Sequence, residues 1–160
     1  MRAQKGFSLI ELLIVVAIIL IIAAIAIPSL MKSRISANEA SAVASVRAVT
    51  TAQASYQIAY PNLGFADNLT KLAQPAPGVP VSSTSAGLLD WVLGCATQPC
   101  PKSGYNFEIA NASGTPVSVY DIYGTPIIQG KTGVRGFCSG HSNIIMMDLS
   151  GGKSCTAPLQ

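Results

Sequence analysis

From Leu12 to Ile27 the chain runs without one polar side chain; past Pro28 the apolar positions thin to one in every three or four. The first stretch, counted from Phe7 to Ile27, would as a helix span roughly 32 Å at about 1.5 Å per residue. That length crosses a bilayer core of about 30 Å. In the second stretch Ile35, Ala42, Val43, Val46, Val49, Gln53, Tyr56 and Tyr60 recur at helical steps and trace one face. Arg34 and Arg47 fall off that stripe. Glu39 falls on it, ahead of the valine-rich region, which leaves its end of the stripe outside the cover of a folded head. The pattern predicts one helix from about Phe7 to Ala59, closed by Pro61 and roughly 80 Å long if continuous, whose second half buries its stripe on a sheet.

Downstream the periodicity breaks. Pro75, Pro77, Gly78 and Pro80, followed by Ser82-Ser83-Thr84-Ser85, mark an irregular segment over 61–103, with a short helix expected around Leu88–Leu93. Trp91, flanked by Leu88, Leu89, Val92 and Leu93, is expected in the core. Four runs rich in β-branched or aromatic residues follow, Tyr105–Ile109, Val117–Tyr123, Val134–Cys138 and Ile144–Leu149, separated by Gly, Ser, Asn and Pro. Their short separations favour an antiparallel meander over 104–160. The fold class is therefore α+β: a long N-terminal helix, half membrane-spanning and half amphipathic, packed on an antiparallel sheet of about four strands.

Charge orients the chain. Arg2 and Lys5 precede the apolar run, so the positive-inside rule leaves the N-terminus in the cytoplasm and exports the remainder. A secretory signal peptide would have a shorter apolar run and a small-residue cleavage site after it; here the small residue, Gly6, stands before the run. Glu11 lies inside the span, where an acidic residue costs about 2.5–3.5 kcal/mol at mid-membrane and less near the interface. A carboxylate retained there needs a partner. The net charge of +3 is too small for the basic surface of a nucleic-acid binder.

Cys95, Cys100, Cys138 and Cys155 all lie in the exported portion, where an even count reads as disulfides. Three pairings are possible and the sequence does not choose; nearest neighbours, Cys95–Cys100 and Cys138–Cys155, are favoured. Zinc is disfavoured because the only histidine, His141, stands apart and no C-x-x-C spacing occurs. The acids Asp67, Asp90, Glu108, Asp121 and Asp148 are scattered, and neither a phosphate-cradling glycine loop nor a paired-carboxylate motif appears. An enzyme is not expected, nor any catalytic residue, cofactor or metal.

Lys5-Gly6-Phe7-Ser8-Leu9-Ile10-Glu11, the apolar run behind it and Ala26-Ile27-Pro28 together resemble the start of a type IV pilin precursor. The resemblance is close over about residues 1–60 and architectural beyond. It implies a leader, residues 1–6, cut between Gly6 and Phe7 by a membrane-embedded prepilin peptidase that then methylates the Phe7 amine. It implies a transmembrane and assembly helix over 7–28, an amphipathic helix over 29–60 and a head over 61–160. Glu11 would neutralise a neighbouring subunit's terminal amine and set the register of a helical homopolymer. Pro28 would be the helix break of the assembled filament, unwinding about Ala23 to Ile27, with at most a bend there in the isolated subunit. A late disulfide closing the C-terminal loop also matches the family. Where many pilins have a mid-span glycine this chain has Leu20, and it lacks tyrosines just past the proline, with Leu30 and Ser33 there.

The expectation is a structural subunit that lodges in inner-membrane lipid, meets the pilus assembly machinery and ends in an extracellular filament. The alternatives are a pseudopilin of a type II secretion system, a membrane-anchored enzyme or redox protein, and a DNA-binding minor pilin.

Overall fold

A computed structural model describes residues 7–159. Gly6 and the basic residues Arg2 and Lys5 lie outside the described residues. The chain divides into two compact units, one up to Arg34 and one from Ile35 onward. Helix α1, Leu9–Ala59, contributes to both. It begins at Leu9, where the preceding Ser8 carbonyl takes the Leu12 amide. It ends at Ala59 because Pro61 has no amide hydrogen and pushes Tyr60 out of helical geometry.

From Leu12 to Ile27 α1 is apolar on every side, and each large apolar side chain from Phe7 to Ile27 is at least 46% exposed. A helix apolar all round has no surface suited to water. It is long and apolar enough to cross a membrane. Pro28 lies inside α1, and the helix continues through it.

In the second unit α1 narrows to a stripe. Ala42, Ser45, Val46, Val49, Ala52, Gln53 and Tyr56 are buried. The sheet they meet is a six-stranded antiparallel meander in chain order: β1 Cys100–Lys102, β2 Tyr105–Ser113, β3 Val119–Pro126, β4 Gly136–Gly140, β5 Met146–Asp148 and β6 Ala157–Pro158. The α+β class and the meander hold; the strand number is six rather than four. The two additional strands, β1 and β6, are short and contain proline, so they lack the β-branched run that marks a strand in sequence. β2 and β3 alternate as half-buried strands should: Tyr105, Phe107 and Ile109 face the core from one, Tyr120, Ile122 and Gly124 from the other. β4 is buried on both faces. One face meets the core through Phe137; on the other, Cys138 is bonded to Cys155. The core gathers Val46, Val49, Tyr56, Leu69, Leu72, Tyr105, Phe107, Tyr120, Ile122 and Phe137, each fully buried side chain contributing about 1.5–3 kcal/mol.

Two close approaches admit only glycine. Gly64 has φ +79° and lies against the Val117 backbone, where Leu63 and Phe65 bracket that residue with 2.9 Å hydrogen bonds. A Cβ on Gly133 would occupy the space of the Tyr105 ring.

The segment before the sheet differs from expectation. Its helix is α2, Leu69–Leu72, capped by the Asn68 side chain on the Lys71 amide. Leu88–Leu93 is not helical: the Asp90 carboxylate takes the amides of Val92 and Leu93 at 3.2 and 2.7 Å, and Gly94 closes a single turn onto the Asp90 carbonyl. Trp91 is 55% exposed rather than in the core, while Leu89 and Leu93 turn inward in its place.

Gln53 pins this segment to α1. Fully buried, it donates through Nε2 to the Ala66 carbonyl and accepts from the Ala66 amide through Oε1, both at 2.8 Å. Replacing Gln53 with Ala orphans both backbone groups in the core and is expected to cost about 3 kcal/mol. Denaturant titration of the solubilised chain measures this, with Ala54→Ser, on the exposed face, as the unaffected comparison.

Candidate functional site

At the start of α1, Glu11 makes one half of a capping box, its carboxylate reaching back to the Ser8 amide. The Ser8 amide donates to Glu11 Oε2 at 3.0 Å, and the Leu12 amide bonds the Ser8 carbonyl at 3.3 Å. A carboxylate here also meets the positive end of the helix dipole. Glu11 thus has a role within its own chain beyond the one its membrane position suggests. The S-x-x-E spacing is the sequence signature of that box. Phe7 is 80% exposed, and in the uncleaved chain its nitrogen is a peptide amide. Glu11 Oε1 makes no hydrogen bond among the described residues and is able to accept from a cation.

The head is attached to its helix by a second carboxylate. Glu39 is buried, contrary to the expectation that its end of the stripe lies uncovered. Its Oε1 accepts the amides of Val134 and Arg135 at 3.0 and 3.1 Å; its Oε2 accepts Arg135 Nε and Nη2 at 3.0 and 2.6 Å. The guanidinium also lies 5.8 Å from the Phe137 ring centre. Asn38 donates to the Thr132 carbonyl at 2.8 Å, and Ser41 to Ser103 Oγ at 3.0 Å. Three neighbouring helix residues therefore hold the β3–β4 loop and the β1–β2 turn. Burial alone would raise the Glu39 carboxyl, but the Arg135 side chain and the two amides outweigh it and hold the group below its usual value.

The cysteines are joined Cys95–Cys100 and Cys138–Cys155, with Cα separations of 5.6 and 6.0 Å. Within the second loop Asp148 is a hub. It accepts the Ser150 amide and hydroxyl at 2.8 and 2.6 Å and the Ser154 amide at 2.9 Å. These donors hold its carboxyl below the usual range. His141, with Asp121, Tyr123 and Lys153, borders a shallow cavity of about 190 Å³ beside the Cys138–Cys155 bridge. No group of three or more His, Cys, Asp or Glu suited to a metal occurs among the described residues.

The comparisons with known proteins fall on the first third of the chain. The family described as the prokaryotic N-terminal methylation motif matches residues 1–27. The type IV wide pilus major component PilA4 of Thermus thermophilus is 50% identical over 58 residues, 36% of this chain and 44% of that protein. The type IV major pilin protein PilA of Myxococcus xanthus is 50% identical over 53 residues, 33% of this chain and 24% of that protein. A fimbrial protein of Pseudomonas aeruginosa is 56% identical over 52 residues, 32% of this chain and 34% of that protein. This chain thus spans less than half the length of the curated relatives it matches. No solved structure matches it. A methylation-motif helix leads into an α+β head, and the N-terminal third of this chain is similar to that of type IV pilins.

Two measurements check the attachments. Because folding depresses the Glu39 carboxyl, its contribution is full at neutral pH and is lost as pH falls from about 4.5, the unperturbed value, through the lower folded one. Glu39→Gln should flatten the acid limb of a stability-versus-pH curve and cost about 2 kcal/mol at pH 7, a figure kept low because Arg135 is partly solvated. Replacing Cys138 and Cys155 together with Ala should cost about 3 kcal/mol by loop-closure entropy, read from the shift in the denaturation midpoint.

Proposed function

We propose that this chain is the precursor of a structural subunit of a type IV pilus, polymerising through α1 into an extracellular filament. The observation that carries the reading is the pairing of an all-round apolar helix with a carboxylate, Glu11, four residues past Phe7. As a precursor the helix lies in inner-membrane lipid, which covers its apolar surface. Prepilin peptidase removes residues 1–6 and methylates Phe7. Assembly machinery then draws the helix from lipid into a bundle of copies of itself.

Glu11 acts at that transfer. A carboxylate and an amine left alone in an apolar bundle are each strongly unfavourable, and pairing them offsets much of that. A subunit at the wrong height leaves both unpaired, so the pair selects one register. Pro28 withholds one hydrogen bond from α1, making the segment before it, about Ala23 to Ile27, the place where the helix unwinds on assembly. The domain limits follow the same logic: leader 1–6, assembly helix 7–28, amphipathic helix 29–60 and head 61–160. The pseudopilin alternative is less well supported, since the C-terminal loop is closed by a disulfide and its Asp148 is already filled by amide and hydroxyl donors.

Mass spectrometry of filaments sheared from cells should give a subunit beginning at methylated Phe7; filaments built of chains retaining Met1 would contradict the processing. Glu11→Ala, as the only copy expressed, should enter the membrane at the normal level yet yield few filaments. A normal filament count would remove the register role.

A further inference from the structure

The β3–β4 loop holds apolar side chains out of the core on a rigid frame. Ile127, Ile128 and Val134 are 47, 51 and 44% exposed. The loop between them is tied down at every turn. The Ile128 amide donates to Thr132 Oγ1 at 3.0 Å, and the amides of Lys131 and Thr132 return to the Ile128 carbonyl at 3.1 and 2.9 Å. Asn38 holds the Thr132 carbonyl, Glu39 holds the amides of Val134 and Arg135, and the Gln129 amide group donates to the Ser150 carbonyl. Lys131, exposed at the tip, has no ion pair among the described residues. An ordered loop that keeps apolar side chains and a free cation in solvent marks a contact surface.

Its place in the chain indicates the partner. Asn38 and Glu39 lie within about one turn of Ile35, where the chain enters the head unit. Ile35 follows Pro28 by seven residues, so connectivity alone keeps this entry end within about 25 Å of the end of the apolar span. The 141–145 loop, which borders α1 at Arg47–Ala54, meets the helix two or more turns further on. We propose that the β3–β4 loop is a membrane-surface contact: while the precursor is inserted, Ile127 and Ile128 dip into the headgroup–acyl boundary and Lys131 meets lipid phosphate. The contact would hold the head on the bilayer until assembly lifts it away. This rests on the membrane-inserted reading above.

The test uses the full chain in proteoliposomes, with Trp91, the only tryptophan, replaced by Phe. Ile128→Trp is placed on this background, and Ile144→Trp, also exposed, serves as the comparison. Emission from Ile128→Trp should be blue-shifted and quenched by lipids brominated high on the acyl chain, while that of Ile144→Trp should not. Moving from neutral to anionic vesicles should raise the docked-to-undocked ratio about fivefold for one lysine, and Lys131→Ala should remove that increment. Chains that co-sediment with vesicles but show equal, weak quenching at both positions would overturn the contact while leaving insertion intact. Failure to co-sediment would remove the membrane reading itself. A blue shift that grows with protein density and ignores brominated lipid would assign the surface to a second copy of the chain instead.

Discussion

One helix has to satisfy two different surroundings, and most of the structure follows from where it changes over. Up to Ile27 the side chains of α1 are apolar on every side, which suits lipid or other helices and does not suit water. From Ala42 only one stripe is apolar, and the sheet covers it. Between them the chain has to stop being indifferent to rotation about its axis and adopt one fixed orientation under the head. Glu39 and its neighbours supply that orientation through bonds to the β3–β4 loop.

Each of the two helix carboxylates is held by a different economy of donors. Glu11 takes one backbone amide of its own chain and keeps one oxygen open; Glu39 takes four donors and keeps none. The first arrangement suits a group that must accept a later partner, and the second suits a permanent join. The C-terminal loop is fixed by similar means. There Asp148 gathers backbone amides inside a covalently closed loop, so the last strands of the meander, too short to hold by ladder bonds alone, are tied from outside the sheet.

Much of this was legible in the residues. The span, the stripe from Ala42 to Tyr56 and the antiparallel meander follow from periods that local chemistry imposes. The missed features depend on distant partners. Glu39 reads as solvated because a carboxylate normally is, and Arg135, which makes its burial affordable, stands 96 residues away. Trp91 sits among apolar neighbours, but sequence does not say which of them turn inward once Asp90 folds the segment into a single turn. β1 and β6 exist because neighbouring strands offer unpaired edges, not through any preference of Cys100-Pro101-Lys102 or Ala157-Pro158 for extended structure. At the helix start the S-x-x-E spacing carried the signal for the contact between the Ser8 amide and Glu11, which the reading of Glu11 as a membrane carboxylate passed over.

The central claim is the proposal that Glu11, which takes one amide of its own chain, also takes the amine of a neighbour. A density map of the native filament at side-chain resolution tests it most directly. The Glu11 carboxylate should lie within about 4 Å of the Phe7 amine nitrogen of an adjacent subunit, the reach of an ion pair. A filament in which Glu11 contacts only its own Ser8, with the neighbouring Phe7 amine elsewhere, would contradict the account.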